Sequence, residues 1–573
     1  MSCHGCPRIS LLFGAALVAI AIAHATDLPT IRYKSGFGQL IADGKPFLIL
    51  GGELGNSSSG TAAQADSILP KLAGMHLNTV LMPVAWEQIE PQEGRFDFSI
   101  LDHWIDVARR QQLHLVLLWF GSWKNAFSNY APEWVKSDAK RFPRAVAANG
   151  LPLEILSTFG EQTVRSDARA FSTLMGHLRE IEQSQQTVLM IQVENEIGYL
   201  GYGRDRSDAA NRAFEGNVPA DLKRKLEARR LEMSAELAHH FNPAGKTWRE
   251  VFGEAADEVF MSFQYAGFVN KVTEAGKRAY PLPMYLNAQL PSPFERAGEY
   301  PSGGPHPYYQ DVYRIAAPAI DFYSPDIYWP NFEYWVQRYQ AAGNPVFVPE
   351  ARLDGSVYNA LYTYGEARGF GFSPFGIDSP AQPQSQPAVS DLYSVLTQLS
   401  GEILDAQSAN RIRGLALHVS SPRPTQTVAL GGYLFQATLS RSWPARTLLT
   451  DDGAMMVLET KPDEFYVIGS GLTVDFLRDP DVDDHLAGIA SIEQISKRDG
   501  EWATDRWLNG DQTNQGRQLL MSAHDLHVYR VKLYYYETRD EVPVRKSLGA
   551  QQDVEIRRTL PKTADHNRHL NIS

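Results

Sequence analysis

Between residues 30 and 408, short apolar runs alternate with stretches whose apolar positions recur every three or four residues. The runs at residues 46–52, 78–84, 113–119, 187–193, 284–288, 320–328, 345–348 and 369–372 are β-rich and alternate little in polarity. That is the texture of parallel strands covered on both faces. Between them, Ile100, Leu101, Trp104, Ile105 and Ala108 fall on one helical stripe. So do Phe171, Leu174, Met175, Leu178 and Ile181, and Phe332, Trp335, Val336 and Tyr339. Eight strands with helices between them predict a (β/α)8 TIM barrel over residues 26–408. An open doubly wound sheet is the structural alternative, but no Gly-x-Gly-x-x-Gly opens a helix after the first strand.

After residue 408 the texture changes. Apolar runs at 428–435, 455–458, 465–469 and 528–536 are separated by Gly, Asp and Asn clusters. They predict a smaller antiparallel β-sandwich domain over residues 409–573, with a polar tail from Ala550.

At the other end, Arg8 precedes an apolar stretch over residues 9–22 and the small-x-small triplet Ala23-His24-Ala25. This predicts a signal peptide over residues 1–25 and an exported protein, periplasmic or extracellular. The stretch is short and rich in Ala and Gly, so a permanent span is not expected. Cleavage would remove Cys3 and Cys6. The remaining chain would then have no disulfide, no cysteine-ligated metal and no thiol nucleophile. No later stretch of 18 apolar residues exists, so no membrane association is expected after cleavage.

Composition narrows the function classes. The 573-residue chain is 43% hydrophobic and 21% charged, ordinary globular usage. Its formal net charge is −12 and it has no basic run, which argues against nucleic-acid binding. The 15 His residues show no His-Glu-x-x-His spacing and there is no phosphate loop, so neither a metal nor a cofactor is expected. The number of subunits is not legible.

In a parallel barrel the site forms where strands end. The fourth strand ends in Glu194-Asn195-Glu196 and the seventh in Pro349-Glu350. Leaving a carboxylate at the end of a buried apolar strand is costly unless it is paired or used. Two carboxyls facing across one pocket can cleave a glycosidic bond: one protonates the leaving oxygen and the other attacks or assists at the anomeric carbon. Arg352, two residues beyond Glu350, is expected to keep that carboxyl ionised, which makes Glu350 the nucleophile and Glu196 the acid/base. Strict strand alternation puts Glu194 and Glu196 on one face and Asn195 on the other. If Asn195 and Glu196 both reach a sugar, the strand end has to bulge or twist. Trp86, Trp119, Trp123, Tyr199, Tyr328, Trp329 and Phe375, at or just past strand ends, are candidate stacking platforms for a pyranose. Asn287 and Gln289 are candidates for binding hydroxyls or for holding the scaffold.

Gln192-Val193-Glu194-Asn195-Glu196-Ile197-Gly198 resembles the QVENEYG signature of family 35 glycoside hydrolases, the retaining β-galactosidases. The segment from Trp86 to Phe98, with Glu90-Pro91, Gly94 and Phe96-Asp97-Phe98, resembles the stretch after strand two in the wider superfamily of (β/α)8 retaining glycosidases. Gly51-Gly52-Glu53 resembles the SGE that ends strand one in family 35. The resemblance covers residues 40–375. It implies that Asn195 contacts the sugar 2-hydroxyl, Glu196 is acid/base, Glu350 is nucleophile and Tyr328 hydrogen-bonds it, with Glu53 also at the sugar site. Two departures stand out. Ile197 replaces the usual Tyr, and the third strand ends in Gly121-Ser122-Trp123 without the family's Ala-Glu-Trp, which removes one galactose contact. The pattern is similar to a divergent bacterial branch, with a sandwich after the barrel, associated with plant cell-wall polysaccharides such as galactosylated xyloglucan.

The resulting expectation is an exo-acting retaining β-galactosidase whose partner is a carbohydrate substrate. The alternatives are a retaining β-glycosidase for glucosides, xylosides or arabinosides, or a non-catalytic carbohydrate-binding protein.

Overall fold

The computed structural model describes residues 27–34, 37–182, 185–379, 385–483 and 485–537. The expected signal peptide with Cys3 and Cys6, and the tail from Ala550, lie outside the described residues.

Eight parallel strands close a barrel in sequence order. They are β1 (Ile49–Glu53), β2 (Thr79–Ala85), β3 (His114–Lys124), β4 (Val188–Asn195), β5 (Met284–Gln289), β6 (Phe322–Ile327), β7 (Phe347–Ala351) and β8 (Gly371–Pro374). Every residue of β2, β4, β6 and β7 is buried, which is why these segments read as unbroken apolar runs. The helices between them show the 3.6-residue period. In α1 (Ser99–Arg110), Leu101, Trp104, Ile105, Val107 and Ala108 face the barrel, and Arg109 and Arg110 close the last turn. The connection from β4 to β5 is long and carries several short helices before α2 (Ala256–Ala279).

The barrel floor is filled by Ile49, Leu81, Val116, Leu118, Phe120, Leu189, Met190, Tyr285, Phe322, Phe347 and Phe370. Leu40 and Ala42 of an N-terminal antiparallel sheet join this cluster from outside the barrel. Tyr285 stacks on Phe322 with ring centres 5.2 Å apart, and Phe347 on Phe370 at 5.3 Å. This aromatic floor leaves the polar strand ends to gather above it. Gly51 permits β1 to close on β8: a Cβ there would lie 2.1 Å from Ser373 Oγ.

Residues 412–536 form two antiparallel sheets of six and four strands. Phe435, Phe465, Val467, Val474 and Val531 share the core between them. The strand Asp452–Lys461 explains its own texture. Met455 and Val457 face that core, whereas Ala454, Met456 and Leu458 face the barrel's core, so the run Met455 to Leu458 has no polar side. On the barrel side, Glu402 of the helix Gln386–Ser408 accepts from Lys497 Nζ (3.1 Å) and Trp502 Nε1 (3.0 Å). Among the described residues, no helix is long and apolar enough to cross a membrane.

Candidate active site

The end of β4 does twist. Glu194 has φ +60° and Glu196 φ +44°, flanking Asn195. The β3–β4 register shifts between Trp119 and Lys124, so that Lys124 pairs with Asn195. A left-handed conformation at two non-glycine residues persists only where the surroundings over-determine it. Here a buried carboxyl pair does so. Glu194 Oε2 accepts from Trp123 N–H (2.8 Å), and its carboxyl faces that of Asp167. Asp167 accepts from Trp119 Nε1 (2.9 Å), from Ser122 N–H (3.1 Å) and from the Ser122 hydroxyl. Burial first, then the charge of Asp167, pushes Glu194 well above the usual carboxylate range. Asp167 is already an acceptor for three donors, so the shared proton belongs on Glu194. Gly121 makes room: a Cβ would lie 2.3 Å from Trp119 Nε1 and 2.8 Å from Glu194 Oε1. The pair thus ties the ends of β3 and β4 together.

With Glu194 turned aside, Glu196 faces the barrel axis. Its backbone N–H donates to Asn287 Oδ1 (2.9 Å), and Asn125 Nδ2 donates to its carboxyl. Asn287 Nδ2 donates to Asp326 Oδ2 (2.6 Å) at the end of β6. Glu350, at the end of β7, accepts from the Tyr328 hydroxyl. Glu196, Asp326 and Glu350 each bring a carboxyl oxygen within 4.8 Å of the others. Glu53, at the end of β1, completes a group of four buried carboxyls.

One buried cation, Lys124, lies in their field, and all four acids raise it, while burial opposes them. For Glu196, burial and then the charge of Glu350 push the carboxyl up to about 7, with Lys124 pulling the other way. Burial, then Glu350, hold Glu53 and Asp326 well above the usual range. The result is a site with graded proton affinity, as acid/base work on two carboxyls requires.

Several expectations are corrected. Arg352 does not serve Glu350: it points outward and donates twice to Asp354 (2.8 and 2.7 Å), so the cation in reach of the carboxyls is Lys124. Trp86 and Trp123 are fully buried and are not platforms. Trp86 donates to Glu90 Oε2 (2.9 Å) and packs on Trp119 and Trp134, while Trp123 donates to the Leu156 carbonyl (3.1 Å) and packs on Tyr265 and Phe268. Tyr199 is likewise buried, on the Val146 carbonyl (2.9 Å). Asn287 accepts from the Glu196 backbone N–H and donates to Asp326, so its amide holds the scaffold at the strand ends. Trp329 is 38% exposed beside Tyr328, its Nε1 donating to the Leu290 carbonyl (3.1 Å). Asn195 is buried with neither amide atom hydrogen-bonded.

Sequence reasoning missed Lys124, Asn125 and Asp326. The signal was present for two of them. Asp326 and Lys124 are charged residues ending apolar strands, the same sign that marked Glu196 and Glu350. Among the described residues, Glu196, Asp326 and Glu350 are the three side chains spaced to hold a metal ion, and the fixed charge of Lys124 competes with a cation there.

A pH-dependent prediction follows from Lys124. The carboxyls raised by folding stabilise the protein while protonated, and that contribution is lost as pH rises; for Glu196 the window runs from about 4.5 to about 7. Lys124 opposes the shift, and its own contribution persists until pH passes its raised value. Lys124→Met is therefore expected to lower the melting temperature far more at pH 8 than at pH 5. Any alkaline limb of activity governed by Glu196 should move up by about one unit or more. Equal destabilisation at both pH values would contradict this assignment.

Two family models match parts of the chain. Residues 57–244 match Glyco_hydro_42, described as "Beta-galactosidase". Residues 389–520 match a model described as "Domain of unknown function (DUF5597)". A β-galactosidase of Xanthomonas manihotis is 28% identical over 213 residues, covering 35% of this chain and 32% of the relative. The chain thus matches about a third of that relative's length. Among solved structures, the β-galactosidase of Bacillus circulans sp. alkalophilus aligns with a TM-score of 0.48 at 11% identity, covering 84% of this chain and 99% of that one. The β-galactosidase of Rahnella sp. R3 aligns at 0.41 and 15% identity, covering 62% and 57%. A β-1,4-D-mannanase of Cryptopygus antarcticus aligns at 0.39 and 13% identity, covering 64% and 94%. The segment that carries barrel strands β2 to β4, with Lys124, Asn195 and Glu196, is therefore similar to glycoside hydrolases of the β-galactosidase type.

Proposed function

We propose that this protein hydrolyses β-glycosidic bonds with retention, using Glu350 as nucleophile and Glu196 as acid/base. The carrying observation is that carboxyl oxygens of Glu196 and Glu350 lie within 4.8 Å. That suits the roughly 5–5.5 Å spacing of retaining enzymes rather than the roughly 6.5–9.5 Å that leaves room for a water in inverting ones.

In the first step a Glu350 oxygen bonds to the anomeric carbon as the bond to the leaving oxygen breaks. Glu196, whose proton affinity burial and the charge of Glu350 raise to about 7, gives its proton to that oxygen. The covalent ester removes the charge on Glu350 that raised Glu196, so Glu196 becomes a stronger acid and rests as carboxylate. In the second step it takes a proton from water, whose oxygen attacks the anomeric carbon and releases Glu350. Tyr328 steadies the Glu350 carboxyl through its hydroxyl. The free amide of Asn195 is available for the sugar 2-hydroxyl.

A terminal β-galactoside is the preferred substrate in this reading. It is supported by the family 35 motif at residues 192–198 and by the β-galactosidase model matched over residues 57–244. Family 35 itself rests on the motif, and so does a role on galactosylated plant polysaccharides, while a place outside the cytoplasm rests on the signal-peptide pattern of residues 1–25. A second reading, a retaining β-glycosidase of other sugar preference, is favoured by the end of β3, where Gly121-Ser122-Trp123 stands in place of the family's Ala-Glu-Trp. A panel of nitrophenyl β-glycosides separates them. A galactoside advantage in kcat/KM of about tenfold or more supports the first, since a built hydroxyl contact discriminates at least that well. A leading glucoside, xyloside or arabinoside supports the second, and turnover of none would sink both.

A further inference from the structure

The tip of β3 is a strained turn that joins the acid/base carboxyl to a cleft. Lys124 and Phe127 exchange backbone hydrogen bonds at 2.8 and 3.0 Å. The two residues between them, Asn125 and Ala126, have φ +49° and +64°. A two-residue hairpin with positive φ at both central positions has the type I′ pattern, which Gly and Asn favour and Ala does not. Ala126 is fully buried and its N–H donates to the Glu196 carbonyl (3.1 Å), while Asn125 Nδ2 donates to the Glu196 carboxyl. The turn thus grips Glu196 by backbone and side chain, which accounts for a non-glycine residue being held in the left-handed region.

On its outer side the turn opens on a cleft of about 460 Å³ lined by Lys124, Asn125, Phe127, Asn129, Lys136 and Glu154. That volume suits a small ligand. Phe127 is 44% exposed within it. The fixed charges are already matched. Lys136 Nζ donates to Glu87 Oε2 (3.0 Å) and to the Asn129 carbonyl (2.9 Å), Glu154 lies 3.6 Å from Arg144, and Lys124 serves the carboxyl cluster. What remains is an aromatic face between two amide side chains, chemistry that suits a neutral sugar ring better than an anion or an alkyl chain.

We propose that this cleft is the leaving-group subsite. On this assignment the aglycone is a neutral pyranose unit stacked on Phe127, with Asn129 hydrogen-bonding its hydroxyls and Asn125 positioning Glu196 against the glycosidic oxygen. The inference rests on the hydrolase reading above, in which the acid/base stands on the leaving-group side. It follows that the substrate is an oligosaccharide or polysaccharide branch, not a simple alkyl glycoside.

The test compares two substrates with the same glycone: a neutral β-linked disaccharide and the β-glycosyl fluoride, whose leaving group does not fill the cleft. In the full chain, Phe127→Ala is expected to lower kcat/KM for the disaccharide by about tenfold or more, and the exposed Asn129→Ala by about threefold, through KM. Both should leave the fluoride unchanged. Equal losses on both substrates, or no loss on either, would overturn the subsite. If Phe127→Ala fails to fold, Asn129→Ala and saturation of the wild type by a neutral sugar acceptor, with the fluoride as donor, still decide it: saturable transfer supports the subsite and its absence overturns it. Wild-type turnover of neither substrate would sink the hydrolase reading and this inference with it.

Discussion

Glu350→Gln is expected to lower kcat by about 10⁴–10⁶-fold on every substrate, the scale seen when a covalent nucleophile is removed. The amide keeps the shape of the carboxyl and still accepts from the Tyr328 hydroxyl, so the fold has no reason to fail. It even has reason to gain. The charge of Glu350 is the second cause, after burial, of the raised proton affinity of Glu53, Asp326 and Glu196. Removing that charge lets the three ionise more readily, so the stability they lose as pH rises should shrink. The variant should therefore be inactive with a melting temperature at pH 8 equal to or above that of the wild type. Residual activity within tenfold of wild type would remove Glu350 from the reaction. A collapsed melting temperature would make its role structural.

Glu196→Ala is expected to behave differently because acid/base help depends on the leaving group. Glycosides with poor leaving groups should lose about 10²–10⁴-fold in kcat/KM, the range of a positioned proton donor. Dinitrophenyl glycosides need no proton and should lose little in kcat/KM, with the second step becoming limiting. Azide should then raise kcat and yield a β-glycosyl azide, because it attacks without general-base help. The alkaline limb near pH 7, set in the wild type by the raised carboxyl, should disappear. Uniform loss on all leaving groups, without azide rescue, would assign Glu196 to the scaffold.

The barrel was legible because its physics is written in the pattern. Parallel strands covered on both faces read as apolar runs, and all eight runs fall on the eight barrel strands. The second module was half legible. Runs such as Phe465-Tyr466-Val467-Ile468 mark strands buried on both faces. The strands Leu486–Arg498 and Glu501–Leu508 are partly exposed and carry polar residues through their length, so no run announces them.

At the barrel mouth, the residues that end strands with a charge were findable by one rule. Lys124 and Asp326 carry the same mark as Glu196 and Glu350. Partnership was not legible. Arg352 sits near Glu350 in sequence but follows the end of β7 outward to Asp354, whereas Lys124, from a strand over two hundred residues earlier, lies across the barrel. Nor does sequence say that Trp86 and Trp123 turn into the core, because an indole at a strand end serves either as platform or as packing. The twist at Glu194 and Glu196 was required by geometry, but its cause, the carboxyl pair of Glu194 with Asp167 on a helix, is a tertiary contact.

Four buried carboxyls converge at one strand-end cluster, and Glu350 alone among them is expected to bond covalently to the sugar. The most direct test is to incubate the protein with a 2-deoxy-2-fluoro-β-galactosyl fluoride, which forms the covalent ester faster than it hydrolyses, and to map the added mass by peptide sequencing. One fluorosugar per chain is expected, esterified to Glu350. A label on Glu53, Glu196 or Asp326, or turnover to an α-configured product with no label at all, would contradict it.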